Sequence, residues 1–220
     1  MPSPQEFIDA IKAGDADRVK AMLDLAPGLV GARDASGLSA ALTAAYHRQG
    51  AIADLIVSHG AKLDIFEAAA LGQIDAVREH LKSDESLVNA YAPDGFFPLA
   101  LAAFFGHAAV VELLLAHRAD VRAAAKNPMR VTALHAATSN GHPGIVARLL
   151  VGGADPDAEQ QQGWRALHAA AAAGRGDIVK LLLAHGADPA ATTDEGFTPV
   201  QLARQKGHEE VAALLAARAG

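Results

Sequence analysis

A repeat with a step of about 33 residues, a length typical of solenoid units, runs through the C-terminal part of the chain. The segment 163–170 (GWRALHAA) returns as 196–203 (GFTPVQLA), and a third copy lies at 131–137 (VTALHAA). Each copy is followed by a pair that begins with glycine and then by an aliphatic run. Units of this length cannot bury their apolar faces alone and must stack on their neighbours. The repeat therefore predicts a solenoid, and it indicates the kind of surface that the protein presents.

One glycine in each unit marks the spacing. Gly141, Gly174 and Gly207 are evenly spaced, whereas the step from Gly106 to Gly141 is longer by two positions. We place the two extra residues in the loop 126–130, because its Asn-Pro pair signals a turn.

The N-terminal half repeats with a longer period, so that 7–64 and 65–122 are two copies of a two-unit block. Two ordinary units would need about eight more residues. Asp64 runs directly into the next apolar stretch without an Asp-Gly turn. One projecting hairpin should therefore be absent between the second and third units.

The absent hairpin should leave a notch between Leu38 and Phe96. One interpretation is that a protruding element of a partner docks there. The alternative is that Phe66 and Tyr91 fill the notch.

Each unit carries the signals of two helices. Thr198 and Pro199 supply a hydroxyl near the N-cap and a proline at the first helical position, and Gly207 suits a left-handed C-cap. A second helix is predicted over 177–185 from its apolar stripe. Every unit is therefore predicted to contain a helix, a short turn, a second helix and a turn-rich connection.

Composition excludes several classes of protein. The 220 residues are 51% hydrophobic but only 5% aromatic, which predicts an aliphatic, alanine-rich core. A net charge of -6 argues against a nucleic-acid or anionic-membrane surface. There is no cysteine, no signal sequence at the N-terminus and no apolar run long enough for a membrane span. We expect a soluble cytoplasmic protein with no nucleic-acid or membrane partner.

These units resemble the ankyrin repeat, whose period is about 33 residues and whose signature is T-P-L-H-x-A. The signature reads TALHAA at 132–137, RALHAA at 165–170 and TPVQLA at 198–203, and weaker forms begin at Phe97 and Ser39. Arg48 stands where the family has glycine. The two-unit blocks also resemble a bacterial type of stand-alone ankyrin protein.

The resemblance covers nearly the whole chain. It implies an all-α ankyrin-repeat solenoid of about seven helix–turn–helix units with short β-hairpin-like loops, forming a single domain over 1–220. The units are predicted at about 5–34, 35–64, 65–93, 94–125, 126–159, 160–192 and 193–220.

Ten histidines raise the question of a metal or catalytic site. Most occupy repeat-equivalent positions; for His135 and His168 the resemblance implies hydrogen bonds that tie neighbouring hairpins together. No spacing gives the convergent ligands that zinc requires, and no nucleophile-elbow, phosphate-loop or H-E-x-x-H motif is present. We expect no catalytic, cofactor-binding or metal site, and no enzymatic activity.

The informative residues are those that the repeat does not require. In the family, hairpin tips and outer positions of the first helix line the concave face. The partner-binding residues predicted on that face are Leu38, Tyr46, Pro93, Asp94, Phe96, Phe104, Phe105, Met129, Val131, Gln161, Gln162, Trp164, Arg165 and Phe197.

Aromatic residues are scarce in this chain, yet several fall within that set. One interpretation is an exposed strip around Phe96, Phe104 and Trp164 that anchors a partner. The alternative is that the rings pack between neighbouring units, as Phe105 and Phe197 are placed to do.

The predicted function is non-catalytic binding of a protein partner, of unknown identity, on the concave face. The alternative is a regulatory subunit or inhibitor of an enzyme. We expect a monomer, with a homodimer through the same strip as the other arrangement.

Overall fold

The computed structural model describes residues 1–218, which form fourteen α-helices stacked as seven antiparallel pairs. No β-strand occurs within these residues, and only two isolated bridges are present. The predicted all-α solenoid is thus confirmed. The pairs are α1 (Pro4–Ala13) with α2 (Ala16–Leu25), α3 (Ala40–Tyr46) with α4 (Gly50–Ser58), α5 (Ile65–Ala70) with α6 (Ile74–Ser83), α7 (Pro98–Phe105) with α8 (Ala108–Ala116), α9 (Ala133–Ser139) with α10 (Pro143–Val151), α11 (Ala166–Ala172) with α12 (Gly176–Ala184), and α13 (Pro199–Gln205) with α14 (Glu209–Ala216).

Helix starts follow the predicted capping chemistry. Thr198 caps α13, since its hydroxyl accepts from the Gln201 amide while the Gln201 side chain accepts from the Thr198 amide. This reciprocal arrangement satisfies two amides that have no partner inside the helix. The first helix of every pair is followed by one residue in the left-handed region, which is glycine in six pairs and Arg48 in the second.

Stacking buries an aliphatic core in two clusters. The first cluster belongs to α1–α4 and includes Phe7, Leu23 and Ile56, whereas the second runs from Ile65 to the end of α14. Leu63 is half-buried and touches both clusters. Helices α4 and α6 make few contacts with each other. The second helices of the neighbouring pairs do pack together, α2 on α4 and α6 on α8. The junction between the second and third pairs is therefore the weakest interface in the stack.

Five short loops project ahead of the first helices, and we call them fingers. A backbone hydrogen bond closes each one, for example from the Asp34 amide to the Leu38 carbonyl oxygen at 2.9 Å. Finger 5 is wider, since its bond joins Ala125 to Val131, which confirms the predicted insertion. Numbered by the pair that they precede, they are finger 2 (33–39), finger 4 (91–97), finger 5 (124–132), finger 6 (159–165) and finger 7 (192–198).

Fingers 4 to 7 are joined in series by backbone hydrogen bonds. The Lys126 amide donates to the Gly95 carbonyl oxygen at 2.9 Å, and corresponding bonds link finger 5 to finger 6 and finger 6 to finger 7. In finger 4 the position equivalent to Lys126 is Pro93, which has no N–H to donate. In finger 2 the carbonyl oxygen of Gly37, equivalent to Gly95, accepts instead from the Arg33 guanidinium at 2.9 Å.

The third pair has no finger, as predicted. The chain passes from the end of α4 at Ser58 to the start of α5 at Ile65 through a short connection. Asp64 caps α5 directly, because its carboxylate accepts from the Glu67 amide at 2.8 Å and the Glu67 carboxylate accepts from the Asp64 amide at 2.9 Å. A capping box therefore starts α5 directly, without a preceding finger.

Candidate functional site

Three aromatic side chains meet at the C-terminal ends of α3 and α7. The ring centroid of Tyr46 lies 5.2 Å from that of Phe105 and 6.1 Å from that of Phe104, and the two phenylalanine rings are 4.9 Å apart. All three pairs are edge-on, which is a favoured geometry for aromatic rings. Tyr46 belongs to the second helix pair and the phenylalanines to the fourth, so the cluster spans the third pair.

A small residue between them allows the rings to meet. Tyr46, Ala70 and Phe104 each lie two residues before the left-handed residue that ends the first helix of their pair. Ala70 is buried, and its methyl group leaves room for the flanking rings to close over it. The aromatic cluster therefore also ties together the two sides of the weak junction.

A cleft of about 530 Å³ opens beside the cluster. That volume is within the range of sites that bind ligands or partner side chains. Tyr46, Phe104 and Phe105 form its aromatic wall and Ala53 and Ala70 part of its floor, with mixed polar groups at the rim. The residues at that rim are Arg48, Asp54, Gln73, His107, Asn140 and His142.

Both histidines at the rim are fixed by hydrogen bonds to the preceding helix pair. His107 Nε2 donates to the Ala70 carbonyl oxygen at 2.9 Å, and burial lowers the pKa of His107. The same ring lies against Gly72, where an added Cβ would approach Nδ1 to 2.5 Å. His142 donates in the same way to the Phe104 carbonyl oxygen at 3.2 Å. These histidines are repeated stacking elements, in agreement with the sequence interpretation.

The predicted partner-binding residues differ in how much of their surface is exposed to solvent. Tyr46 and Phe104 retain 39% and 38% of their surface, and Met129 and Phe197 retain 43% and 38%. A further set is exposed at the finger tips, and the remainder is half-buried. The exposed tip residues are Pro93, Asp94, Gln161 and Gln162, and the half-buried ones are Leu38, Phe96, Phe105, Val131, Trp164 and Arg165.

Two of the half-buried residues are committed to contacts inside the protein. The Trp164 ring packs edge-on against His168, with centroids 6.0 Å apart. The Arg165 guanidinium pairs with Glu159 at 2.9 Å and approaches Asp157 at 3.9 Å. A partner would have to compete with these bonds to engage Arg165.

The predicted strip is therefore divided. The rings of Tyr46, Phe104 and Phe105 form one site, and a smaller groove of about 200 Å³ lies between fingers 5 and 6. Met129 and Trp164 line that groove together with glutamines of finger 6. No residue lines both the groove and the cleft within the described range 1–218.

At the absent finger, a hollow of about 340 Å³ is lined by residues such as Arg33, Leu63 and Glu67. Neither Phe66 nor Tyr91 lines it. Tyr91 instead packs on Phe97 and donates to the Ala124 carbonyl oxygen at 3.3 Å. The alternative interpretation, in which Phe66 and Tyr91 fill the notch, therefore finds no support at this hollow.

Sequence reasoning missed several residues that shape the main cleft. Ala70, Leu71 and Arg48 also line this cleft, and Arg48 has a left-handed conformation with φ of 57°. Aligning the units on their left-handed residue would have revealed Ala70, because it is the small member between two aromatic ones.

Within residues 1–218, no group of three or more histidine, aspartate or glutamate side chains is arranged to hold a metal ion. Likewise, no helix in that range has the length and apolar character needed to cross a bilayer.

The repeats match a known protein family. The family model of ankyrin repeats, in three copies, matches residues 65–160 and 143–220. The chain belongs to the ankyrin repeat family. Ankyrin repeats are in general non-catalytic protein–protein interaction modules. The narrower resemblance to a bacterial stand-alone type stays a prediction.

Curated relatives of this ankyrin protein share part of its length. It is 38% identical over 103 residues to ankyrin repeat and SAM domain-containing protein 6 of Mus musculus, which covers 47% of this chain and 12% of the relative. It is 39% identical over 79 residues to the Homo sapiens DNA-binding protein RFXANK, covering 36% of this chain and 30% of the relative. The chain thus spans less than a third of either relative.

Proposed function

We propose that this ankyrin protein binds a protein partner on its concave face and catalyses no reaction. The exposed aromatic cluster of Tyr46, Phe104 and Phe105 beside the 530 Å³ cleft carries the proposal. Aromatic anchors beside a pocket dominate the binding free energy of many interfaces. The general role of ankyrin repeats as interaction modules supports the same conclusion.

The proposal extends to the whole chain. We infer that the seven pairs act as one domain with a scaffold-type, cytoplasmic role, and that the net charge of -6 favours a partner with a basic or neutral patch. One relative is named a DNA-binding protein. We do not extend that property to this chain, because a nucleic-acid surface needs clustered lysine and arginine.

The test is affinity capture from lysate of the native host, comparing wild type with the double variant Tyr46→Ala, Phe104→Ala. We expect a captured protein to be lost by the variant, with truncation of the two rings costing roughly 2 kcal/mol or more. Val151→Ala is the matched control, since Val151 is an exposed apolar residue, 80% accessible, on the second helix α10.

Circular dichroism and urea unfolding establish that each variant is folded. A partner retained equally by wild type and the double variant would refute this face as the binding surface. A partner lost only by the Val151→Ala control would move the site to the second-helix side.

A further inference from the structure

Side chains tie the connection after one second helix to the connection after the next. The Asn89 side-chain oxygen accepts from the Asp120 amide at 2.8 Å, and the Asp157 carboxylate accepts from the Asp188 amide at 3.0 Å. In both cases the amide lies 31 residues after the side chain, in the following unit. An oxygen of one unit thus satisfies a backbone amide of the next.

The first block lacks this tie. The blocks 7–64 and 65–122 place Gly31 and Lys62 in register with Asn89 and Asp120. Gly31 has no side chain to offer, and the Lys62 amide has no acceptor among residues 1–218. Neither backbone nor packing demands this glycine, since its φ is not left-handed and an added Cβ would meet no atom within 4 Å. The missing side chain therefore leaves open space beside an unpaired amide.

That space belongs to the hollow of about 340 Å³ at the absent finger, which Gly31 and Lys62 both line. Gly28 and Gly60 also line it, and a Cβ at either of them would meet no atom within 4 Å. The volume is within the range of pockets that bind ligands. The hollow therefore has room for a group of another molecule, and a backbone donor that lacks an acceptor in its wall.

The charges along the hollow favour an anionic group. Arg33 and Glu67 line it, with Arg33 Nη2 4.0 Å from Glu67 Oε1, so these two charges offset one another. Lys62 is the remaining charged residue of the lining, and it forms no ion pair within the described part of the chain. Asp64 caps α5 and does not line the hollow. Lys62 thus sets the sign of the local charge.

We propose that this hollow is a second docking site, which accepts an aspartate in a turn of a partner protein. The aspartate takes the place that Asn89 and Asp157 have in the other units, so its carboxylate accepts from the Lys62 amide. Aspartate fits better than asparagine, because a charged acceptor bonds more strongly beside the unpaired Lys62 ammonium.

A turn suits this place in the solenoid. The fourth to seventh pairs each have a finger of their own chain ahead of the first helix, and the third pair has none. Aspartate is common in tight turns, where it also bonds to its own backbone. The site is separate from the aromatic cleft, since no residue of the described range lines both. The inference therefore goes beyond the proposed function.

The experiment is selection on the full-length protein from a displayed library of cyclic peptides that form short turns, followed by titration of the enriched peptides. We expect these peptides to share an aspartate. Replacing it by asparagine should weaken binding about fivefold, because the hydrogen bond remains while the charge is lost. Replacing it by alanine should weaken binding about tenfold or more, because the hydrogen bond is lost as well.

Gly31→Asn supplies the missing side chain from the protein itself. Its oxygen should bond to the Lys62 amide as Asn89 bonds to Asp120, so the peptides should bind about tenfold more weakly while the free energy of unfolding in urea does not fall. Ala190→Asn is the matched control at the equivalent position of the sixth unit, outside the hollow, and should change affinity less than about twofold. Lys62→Gln keeps the amide but removes the cation, so it should weaken binding about fivefold.

The double variant Tyr46→Ala, Phe104→Ala separates this site from the cleft. We expect it to bind the peptides as wild type does. If it loses peptides that Gly31→Asn retains, they bind at the cleft, so the proposed face stands and this inference is wrong.

Three other results would overturn the inference. They are a selection that enriches no peptide, enriched peptides that share no aspartate, and a folded Gly31→Asn variant that binds them as tightly as wild type. If light scattering shows oligomers of the protein alone that Gly31→Asn dissociates, the occupant is a second copy of this chain and the assignment to a partner is wrong.

Discussion

At the residue scale, His135 links stability to pH. It is 1% exposed, its Nδ1 lies 2.8 Å from the Thr132 hydroxyl, and burial lowers its pKa from 6.5 to about 4. Below pH 6.5 the unfolded chain takes up a proton that the folded protein refuses, so stability falls as the pH drops from about 6.5 to about 4. The full difference corresponds to about 3 kcal/mol.

We therefore expect the free energy of unfolding, measured with urea, to decline as the pH falls over that range. In His135→Gln, the free energy of unfolding should depend less steeply on pH. His185→Gln, which removes an exposed imidazole, is the matched control. Burial shifts the pKa of His107 and His168 in the same direction, so part of the slope should persist. Equal slopes in wild type and His135→Gln would rule out this role for His135.

Arg48 is a second residue-scale case. It adopts φ of 57° at a position where the other six pairs have glycine. A residue with a Cβ is strained there, whereas glycine is not, although glycine also gains freedom in the unfolded chain. Arg48→Gly should raise the free energy of unfolding by about 1 kcal/mol, as measured by urea denaturation.

The converse change provides the control. Gly72→Ala occupies the equivalent position and should destabilise the protein, because its Cβ would collide with the His107 ring as well as strain the backbone. If Arg48→Gly were neutral or destabilising, the Arg48 side chain would contribute more to stability than the strain costs.

At the element scale, the solenoid has one weak interface. Helices α1–α4 bury their own cluster, α4 and α6 scarcely touch, and no finger bridges the second and third pairs. In a repeat protein, stability is the sum of unit and nearest-neighbour terms, so a block with a poor interface opens more easily.

Hydrogen exchange followed by mass spectrometry should show faster exchange in α1–α4 than in α7–α10. Tyr46→Ala removes the aromatic contacts that cross the junction, so it should widen this difference. Phe197→Ala, an exposed aromatic in finger 7, is the control. Uniform protection along the chain would show that the junction is as strong as the other interfaces.

At the scale of the whole molecule, repetition made most of the fold predictable. The glycine spacing located the helix pairs and the wide finger 5. The longer period of the N-terminal half and the missing Asp-Gly turn after Asp64 located the absent finger. All of these depend on local chain length and turn chemistry. The contact of Tyr46 with Phe104 and Phe105 was not predictable in the same way. It joins residues of the second and fourth pairs and depends on the small size of Ala70 in the intervening pair.

The residues of the candidate binding site were less predictable than the fold. The register of the repeat indicates which positions lie outside the core. It does not indicate which of the side chains at those positions contact other residues of the protein. The sequence places Trp164 and Arg165 among the partner-binding residues, yet His168 contacts Trp164, and Glu159 and Asp157 pair with Arg165. Such pairings depend on rotamers and on neighbouring fingers, which a single aligned repeat does not encode.

The chemistry on either side of the absent finger makes the first block difficult to lengthen. A loop grafted between Leu63 and Asp64 would find the Gly37 carbonyl oxygen already bonded to Arg33 and would find no N–H on Pro93. It would project without the bonds that tie fingers 4 to 7 together. A finger inserted at this junction would join the series only if Arg33 and Pro93 were also replaced, so insertion alone would add a loop without the hydrogen bonds that hold the other fingers.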